Sequence, residues 1–515
     1  MALSRVGPRV RRLARAAALL LLLPLALPAG TALALEEVVV ELPLLDTTLR
    51  VRLDELNSPE ALLNGDTALA ELDRASRGRV GEALVALLNQ RLPLSLTKAA
   101  SASVGSPLLE QALLLVSSLG TVEGRPADTS GQTLEATLRR AMAEAPDGRP
   151  TLLQVMKAIP GKRARLNLSQ VGFALQRLLQ QRELANRLLA QVPAAAVPPV
   201  AANQSSSRAV LSSTVMLPVR HRPQPLQLLV LQPQAAANGR LVLISHGLWD
   251  SPTSFEGWGR RLAAQGYTVV LPWHPGSDQQ QQHEVLSGQA APPSAEELAL
   301  RPLDLTAVID AVASGQLATA TALDSSRVVV LGHSWGATTS LLMAGLVPTD
   351  SKLLRRCSDV TDADRNLSWT LQCSWLRGVD QAGIQDRRVI AVGAVSPPVS
   401  LLFPKGSGLG LSGRVLLVSG SRDWVVPPDP EAVEPMRGGK PQGNQLVLVQ
   451  GGDHFNLRPG ASADGGVLGP LLLSWTNAAF AAGEAARPAA GAAPLLRQGP
   501  WGNQAMPLVD ATPGL

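Results

Sequence analysis

The residues with the clearest chemical potential form the run Gly-His-Ser-Trp-Gly at positions 332–336. An apolar stretch at 327–331 precedes the run, and a segment of helical character at 337–343 follows it. A strand, a G-x-S-x-G turn and a helix in this order are typical of a nucleophile elbow, which lifts a serine hydroxyl clear of the backbone. Glycines are needed two residues either side, because side chains there would collide with the neighbouring elements. The pattern therefore predicts that Ser334 is a nucleophile.

A serine hydroxyl needs a base to remove its proton during attack. Nucleophile elbows of this kind have the chain order serine, acid, histidine. His454 is the single histidine after Ser334, and it follows the apolar run 445–449 in a loop with two glycines. We therefore predict that His454 is the base.

The favoured acid is Asp423, in the loop after the apolar segment 414–420. Catalytic groups of open α/β sheets gather at the carboxyl ends of strands. Asp423 would hold the imidazole of His454 in the correct tautomer. Three other acidic residues remain alternatives, namely Asp429, Glu431 and Asp453.

An oxyanion hole needs two backbone N–H groups, one from the residue after the nucleophile and one from the loop after an early strand. The first would come from Trp335, and the second from Leu248, which follows the strand expected at 241–245. His246 and His333 lie in the same motifs, and we expect them to hold their loops by local hydrogen bonds.

The sequence favours neither a metal nor another cofactor. His274, Asp278 and His283 are close in sequence, but their spacing fits no compact ligand set. Three tryptophans flank the predicted site and would form an apolar substrate pocket, unless they only pack in the core: Trp249, Trp273 and Trp424.

The N-terminus has the three parts of a secretory signal peptide at 1–34: arginines, an apolar run at 16–27 and small residues at 32–34. We expect export to a periplasm, a thylakoid lumen or the outside of the cell. A retained anchor is the alternative, although the run is short for a bilayer span of about 20 residues. No other segment suggests a membrane span in the mature chain.

The net charge of +5 depends on this leader, since five of the 46 basic residues precede residue 35 and none of the 41 acidic residues does. The mature chain is then neutral, and its composition argues against binding to nucleic acid or to an anionic membrane. In an exported chain the two cysteines, Cys357 and Cys373, favour a disulfide over two free thiols.

The chain divides into several regions. The apolar pattern of residues 36–192 predicts a mainly helical domain that begins with a hairpin, and this segment contains no histidine. The composition of residues 193–209 predicts a linker. Strands and helices alternate over 210–485, apart from 348–388, where we expect a cap. The Ala-, Gly- and Pro-rich tail at 486–515 is expected to be disordered.

Particular elements follow from the same patterns. Seven strands are predicted, at 226–231, 241–245, 267–271, 328–331, 389–392, 415–419 and 446–449. Helices are predicted at 170–189, 253–265, 303–313, 337–346 and 471–482.

Residues 245–248, the run 332–336, Asp423 and His454 together resemble the α/β-hydrolase superfamily. The resemblance covers 210–485. It implies an α/β-hydrolase fold, a mostly parallel sheet flanked by helices, with oxyanion N–H groups at the positions of Leu248 and Trp335.

Further segments look like the branch that contains platelet-activating-factor acetylhydrolases and polyester-hydrolase-like esterases, namely 243–247, 266–270, 274–277, 301–304 and 308–310. Trp335 stands where this branch often has Phe or Met, and we expect it to narrow the pocket. Residues 36–192 resemble the uncharacterised domain that precedes such hydrolases in cyanobacterial proteins.

The expected function is that of an exported serine hydrolase. It would cleave carboxylic esters, with a lipid-like or other hydrophobic acyl group, through an acyl-enzyme, so the expected partner is a small-molecule ester or lipid. One alternative is an amidase or peptidase on the same residues. Another is a non-catalytic scaffold that acts through the N-terminal domain.

Overall fold

The computed structural model describes residues 34–515 except for 43–46, 146, 192–208, 318, 320, 405–410, 461–463 and 498–500. The predicted signal peptide and linker therefore lie almost wholly outside the described residues.

Residues 34–191 contain a small sheet together with helices. Its strands are β1 (Glu37–Leu42), β2 (Thr47–Arg52), β3 (Gly120–Val122) and β4 (Arg163–Asn167), in the order β2-β1-β4-β3. β1 and β2 form the predicted antiparallel hairpin, whereas β4 runs parallel to β1 and was not predicted. The region is therefore a mixture of strands and helices, and the expectation of a mainly helical domain missed its sheet.

The described part of this region also contains nine helices. They are α1 (Pro59–Leu63), α2 (Ala68–Ala75), α3 (Arg79–Leu88), α4 (Leu94–Ser103), α5 (Pro107–Ser117), α6 (Gln132–Glu144), α7 (Leu152–Ala158), α8 (Leu168–Gln180) and α9 (Glu183–Gln191). The single helix predicted at 170–189 is thus two helices. Amphipathic helices bury their apolar stripe, and Leu62, Leu88 and Leu153 from α1, α3 and α7 share one core.

A nine-stranded sheet forms the centre of the rest of the chain. Its strands are β5 (Val210–Leu217), β6 (Leu226–Pro233), β7 (Arg240–Ser245), β8 (Thr268–Pro272), β9 (Asp324–His333), β10 (Val389–Val395), β11 (Arg414–Gly420), β12 (Gln445–Val449) and β13 (Leu508–Asp510). Their order is β13-β12-β11-β10-β9-β7-β8-β6-β5. The six central strands, from β12 to β8 in this order, are parallel to one another. The outer pairs β12–β13, β6–β8 and β5–β6 are antiparallel.

Helices cover both faces of this sheet, which gives each face its own apolar core. They are α10 (Glu256–Ala263), α11 (Gln279–Ser287), α12 (Glu297–Ala313), α13 (Trp335–Met343), α14 (Ser351–Arg356), α15 (Ser368–Ser374), α16 (Glu434–Gly439) and α17 (Gly469–Ala482). Short 3-10 or π turns lie at Glu55–Asn57, Pro252–Phe255, Val379–Gln381, Asp429–Val433, Lys440–Gln442, Gly483–Ala486 and Thr512–Gly514. No helix within the described residues has the length and apolar character that a bilayer span requires.

All seven predicted strands are present, because strands buried on both faces are continuous apolar runs that are easy to recognise. The expectation of a disordered tail is wrong in part. Strand β13 pairs with β12, and Trp501, Leu508 and Val509 are buried. A few apolar residues at the sheet edge outweigh the Ala- and Gly-rich composition on which that expectation depended.

The segment 348–388 contains α14, α15 and the predicted disulfide between Cys357 and Cys373, whose sulfurs are 2.02 Å apart. Its Trp375 is fully buried and packs on Trp335, with ring centroids 5.0 Å apart. This segment therefore contacts the first residue of α13 directly.

Candidate active site

Ser334 occupies a sharp turn between β9 and α13. Its backbone has φ 55° and ψ −123°, a conformation that is strained for a residue with a side chain. A Cβ added to Gly332 would lie 2.1 Å from the Gly336 oxygen, and one added to Gly336 would lie 2.0 Å from the Ser245 oxygen. These close approaches explain both glycines of the motif.

Asp423 and His454 meet at the carboxyl ends of two adjacent strands, β11 and β12. His454 Nδ1 lies 2.9 Å from Asp423 Oδ2, and both side chains are buried. The other carboxylate oxygen accepts hydrogen bonds from the N–H groups of Val425 and Val426. Because a carboxylate only accepts, Nδ1 carries the proton and Nε2 is left with a free lone pair.

His333 joins the serine turn to the loop that carries His454. Its Nε2 donates to the His454 carbonyl oxygen at 2.9 Å, and the two ring centroids are 4.7 Å apart. The expectation of a local bond within its own loop is therefore wrong for His333. Since His333 directly precedes Ser334, this bond holds the histidine loop beside the serine.

The alternative acids have other partners. Asp429 accepts two N–H groups at the start of α9, Glu431 accepts those of residues 399 and 400, and Asp453 accepts two within its own loop. Among the four candidates, Asp423 is the one bonded to His454.

The loop after β7 runs against the serine turn. A Cβ on Gly247 would lie 3.3 Å from the Ser334 Cβ. Among the described residues, the N–H groups of Leu248 and Trp335 have no protein acceptor. The Trp335 N–H is in the first turn of α13, where the helix dipole favours negative charge. Both predicted oxyanion donors are therefore near Ser334 and unpaired.

The tryptophans differ in exposure. Trp249 and Trp273 are half-buried, and the Trp249 Nε1 donates to Gln281 Oε1 at 2.5 Å. Trp335 is fully buried between Trp375 and an arginine guanidinium, so it does not narrow an open pocket as expected.

Trp424 is the exposed member of the set. It is 46% exposed and lies beside Phe455, which is 50% exposed, with ring centroids 6.3 Å apart. The Phe455 ring in turn meets His454 edge to face at 5.5 Å. Two exposed aromatic side chains therefore border the histidine.

A buried network of charged groups lies behind the loop after β7. His274 Nδ1 is 2.8 Å from Asp304 Oδ2, and its Nε2 is 2.9 Å from the Ser245 hydroxyl. Asp304 also accepts hydrogen bonds from Arg222 and His221. His274 is thus committed to protein partners.

Asp278 and His283, the other two residues considered as metal ligands, do not form a ligand set with His274. Asp278 caps α11, and His283 is exposed. No cluster with metal-ligand geometry occurs among the described residues.

Burial controls the protonation of the histidines near the proposed site. It lowers the pKa of His274 from 6.5 to about 4 and lowers the pKa values of His246 and His333 well below 6.5. Burial alone would raise the pKa of Asp304, but hydrogen bonds from His221, His274 and Arg222 hold that pKa well below its usual range. The three histidines are therefore neutral at pH 7, and His274 lies beside the charged Asp304 carboxylate.

Arg301 belongs to no catalytic motif, although the segment 301–304 resembles the esterase branch. Arg301 is fully buried, and its Nη2 donates to the His246 carbonyl oxygen at 2.7 Å. Burial lowers the pKa of Arg301 to about 9, which leaves it charged at neutral pH. The sequence did contain a signal for this role, because Arg301 and Asp304 are charged residues among the apolar residues of a helix.

A comparison with known families finds a match over residues 240–355 to the family described as alpha/beta hydrolase fold. The match includes the loop after β7 and the serine turn, and it ends before Asp423 and His454. No curated protein matches the chain. The family match and the large, mostly parallel sheet flanked by helices together support an alpha/beta hydrolase domain in this chain.

Proposed function

We propose that this protein is a serine hydrolase that cleaves carboxylic esters through an acyl-enzyme on Ser334. One observation carries the proposal. The strained turn at Ser334 is bonded, through His333, to the loop whose His454 is hydrogen-bonded to Asp423. The resemblance to the esterase branch and the hydrolase family match support the same reaction class.

The proposed reaction follows from the protonation of His454. The Ser334 Oγ attacks the ester carbonyl carbon while His454 Nε2 takes the hydroxyl proton. Asp423 stabilises the imidazolium, and the N–H groups of Leu248 and Trp335 donate to the anionic oxygen. The alcohol leaves with the proton from His454. Water, activated by the same imidazole, then releases the acid and restores the serine.

The substrate we propose has an apolar acyl or alcohol group. Trp424 and Phe455 border His454 and are about half exposed, so they offer apolar surface to a substrate rather than to the core. We also propose export, as the leader sequence suggests. The disulfide supports it, because such bonds persist in oxidising compartments.

The test combines a fluorophosphonate probe with matched ester and amide substrates of increasing chain length. Wild type should be labelled and should prefer esters. Ser334→Ala and His454→Ala should each lower kcat by about 10⁴-fold or more, and the double variant should be no worse, because these groups act as a unit.

The control variant is Ser326→Ala, which removes an exposed hydroxyl on β9. It should keep wild-type labelling. A folded wild type that neither reacts with the probe nor hydrolyses any ester would exclude the enzyme and favour a scaffold. A preference for amides would point to an amidase.

A further inference from the structure

A fully buried arginine lies directly behind the loop that follows β7. Arg301, on α12, donates from Nη2 to the His246 oxygen at 2.7 Å and to the Gly247 oxygen at 3.3 Å. Its guanidinium also lies over the Trp335 ring, 4.8 Å from the ring centroid. Arg301 therefore touches both segments that carry the proposed oxyanion donors.

We propose that Arg301 is a positioning residue that orients the Leu248 N–H toward the reacting oxygen by holding the Gly247 carbonyl. The inference rests on the proposed function, since it concerns the same site. It adds a group that no motif identified.

The peptide unit between Gly247 and Leu248 links the two groups. The Gly247 carbonyl and the Leu248 N–H belong to the same planar trans peptide, so they point in opposite directions. A contact that fixes the carbonyl therefore also fixes the direction of the N–H. Glycine permits many backbone conformations, so this unit would be poorly oriented without such a contact.

The His246 side chain holds the same carbonyl from a second side. The His274 N–H donates to His246 Nε2 at 3.1 Å, so the imidazole proton is on Nδ1. His246 Nδ1 then donates to the Gly247 oxygen at 2.8 Å. Arg301 and His246 thus both donate to the Gly247 carbonyl oxygen.

The partners of Arg301 differ from those of the neighbouring Arg222. Arg222 is paired with Glu297 and Asp304, as a buried arginine normally is. The Nε and Nη1 of Arg301 have no hydrogen-bond partner among the described residues. Its hydrogen bonds are made by Nη2 alone and go to the backbone oxygens of His246 and Gly247. Such an arrangement favours a role in shaping this loop.

The test compares Arg301→Met, which keeps the bulk and removes the donors, with Arg301→Lys, which keeps a charged donor. Oxyanion donors act in the transition state, so Arg301→Met should lower kcat about 10- to 100-fold and leave KM within about threefold. Arg301→Lys should recover part of the lost kcat. A purely structural role would not produce this split and rescue.

Arg414 supplies the matched control. It is also buried, and it donates to backbone carbonyls of Gly443 and Ala493 from the amino end of β11, the end opposite to Asp423. Arg414→Met should lower the melting temperature and leave kcat within about threefold.

Two outcomes would overturn the inference while leaving the proposed function intact. One is an active, labelled wild type beside a folded Arg301→Met with unchanged kcat. The other is a folded Arg301→Lys whose kcat is no higher than that of Arg301→Met. If Arg301→Met does not fold, Arg301→Gln, whose side chain is too short to reach both carbonyls, takes its place. A wild type without esterase activity or labelling would instead remove the proposed function itself.

Discussion

At the scale of residues, five of the six histidines are engaged around the proposed site: His221, His246, His274, His333 and His454. One of these is proposed to transfer a proton. His246, His274 and His333 bond backbone or hydroxyl groups, and burial keeps these three neutral, whereas His221 bonds the Asp304 carboxylate. The stability of the protein should therefore depend on pH through residues that take no part in the reaction.

The pH prediction concerns His274. The unfolded chain binds a proton at this imidazole below about pH 6.5, whereas the folded protein does not until about pH 4. The unfolded state thus binds more protons in this window, so the free energy of unfolding should fall as pH drops from 6.5 toward 4. In urea titrations, His274→Gln should flatten this slope by up to about 1.4 kcal/mol per pH unit.

His283→Gln is the matched control, because His283 is exposed and lies outside the buried network. It should leave the slope of the wild type in place. Equal slopes in wild type and His274→Gln would contradict the assignment of His274 as a buried neutral imidazole.

The sequence predicted Ser334, His454 and Asp423 because the motif, the chain order and the strand ends are all local features. It could not predict the hydrogen bonds that His333 and Arg301 make. Both act on loops that are distant in sequence, 121 residues away for the His333 bond and 55 for the Arg301 bond. Such contacts depend on how the strands are ordered, which local patterns do not specify.

At the scale of elements, the parallel strands brought the site together, and their apolar runs were predictable. The edge strands were missed for a physical reason. β5 is largely exposed and β13 has three residues, so neither has the continuous apolar pattern of a buried strand. The turn between α8 and α9 was also missed, since the helical periodicity continues across it.

The disulfide should stabilise the segment 348–388, whose Trp375 packs on Trp335. It closes a loop with a sequence separation of 16, which is worth roughly 3 kcal/mol in the chain-entropy model. Replacing both Cys357 and Cys373 by serine should lower the free energy of unfolding by up to that amount. Chemical denaturation with and without a reductant measures it.

A reductant should reproduce the loss in wild type and have no effect on the double variant. If the double variant were as stable as oxidised wild type, the bond would contribute nothing to folding.

At the scale of the whole molecule, the N-terminal region and the C-terminal tail both form hydrogen bonds with the domain built on the large sheet. Asp429 accepts the N–H groups of Leu184 and Ala185 in α9, both at 2.8 Å. In the C-terminal region, β13 pairs with β12, and the Lys440 ammonium donates to the Leu515 oxygen. Composition alone did not reveal either attachment, because each depends on a few residues.

The tail should therefore be needed for a stable fold. Val509 is buried and pairs with Leu448 of β12, so Val509→Lys would place a charge in this edge. We expect the free energy of unfolding to fall by about 2 kcal/mol or more, with aggregation through the unprotected edge of β12. Thermal melting with light scattering measures both effects.

Gln504→Lys is the matched control, because Gln504 is exposed in the same tail. It should melt and scatter light like wild type. A Val509→Lys protein with the same behaviour would mean that the tail is dispensable.

The positive φ of Ser334 implies a trade-off between the proposed catalytic role of its hydroxyl and the thermal stability of the protein. A residue held in such a conformation costs on the order of 1–3 kcal/mol, and glycine avoids most of that cost. Ser334→Gly should therefore be inactive yet unfold at a higher temperature than wild type, whereas Ser334→Ala, which keeps its Cβ, should gain far less. Selection for heat resistance alone would then discard the hydroxyl, so the proposed catalytic role of Ser334 would account for a strained serine at this position.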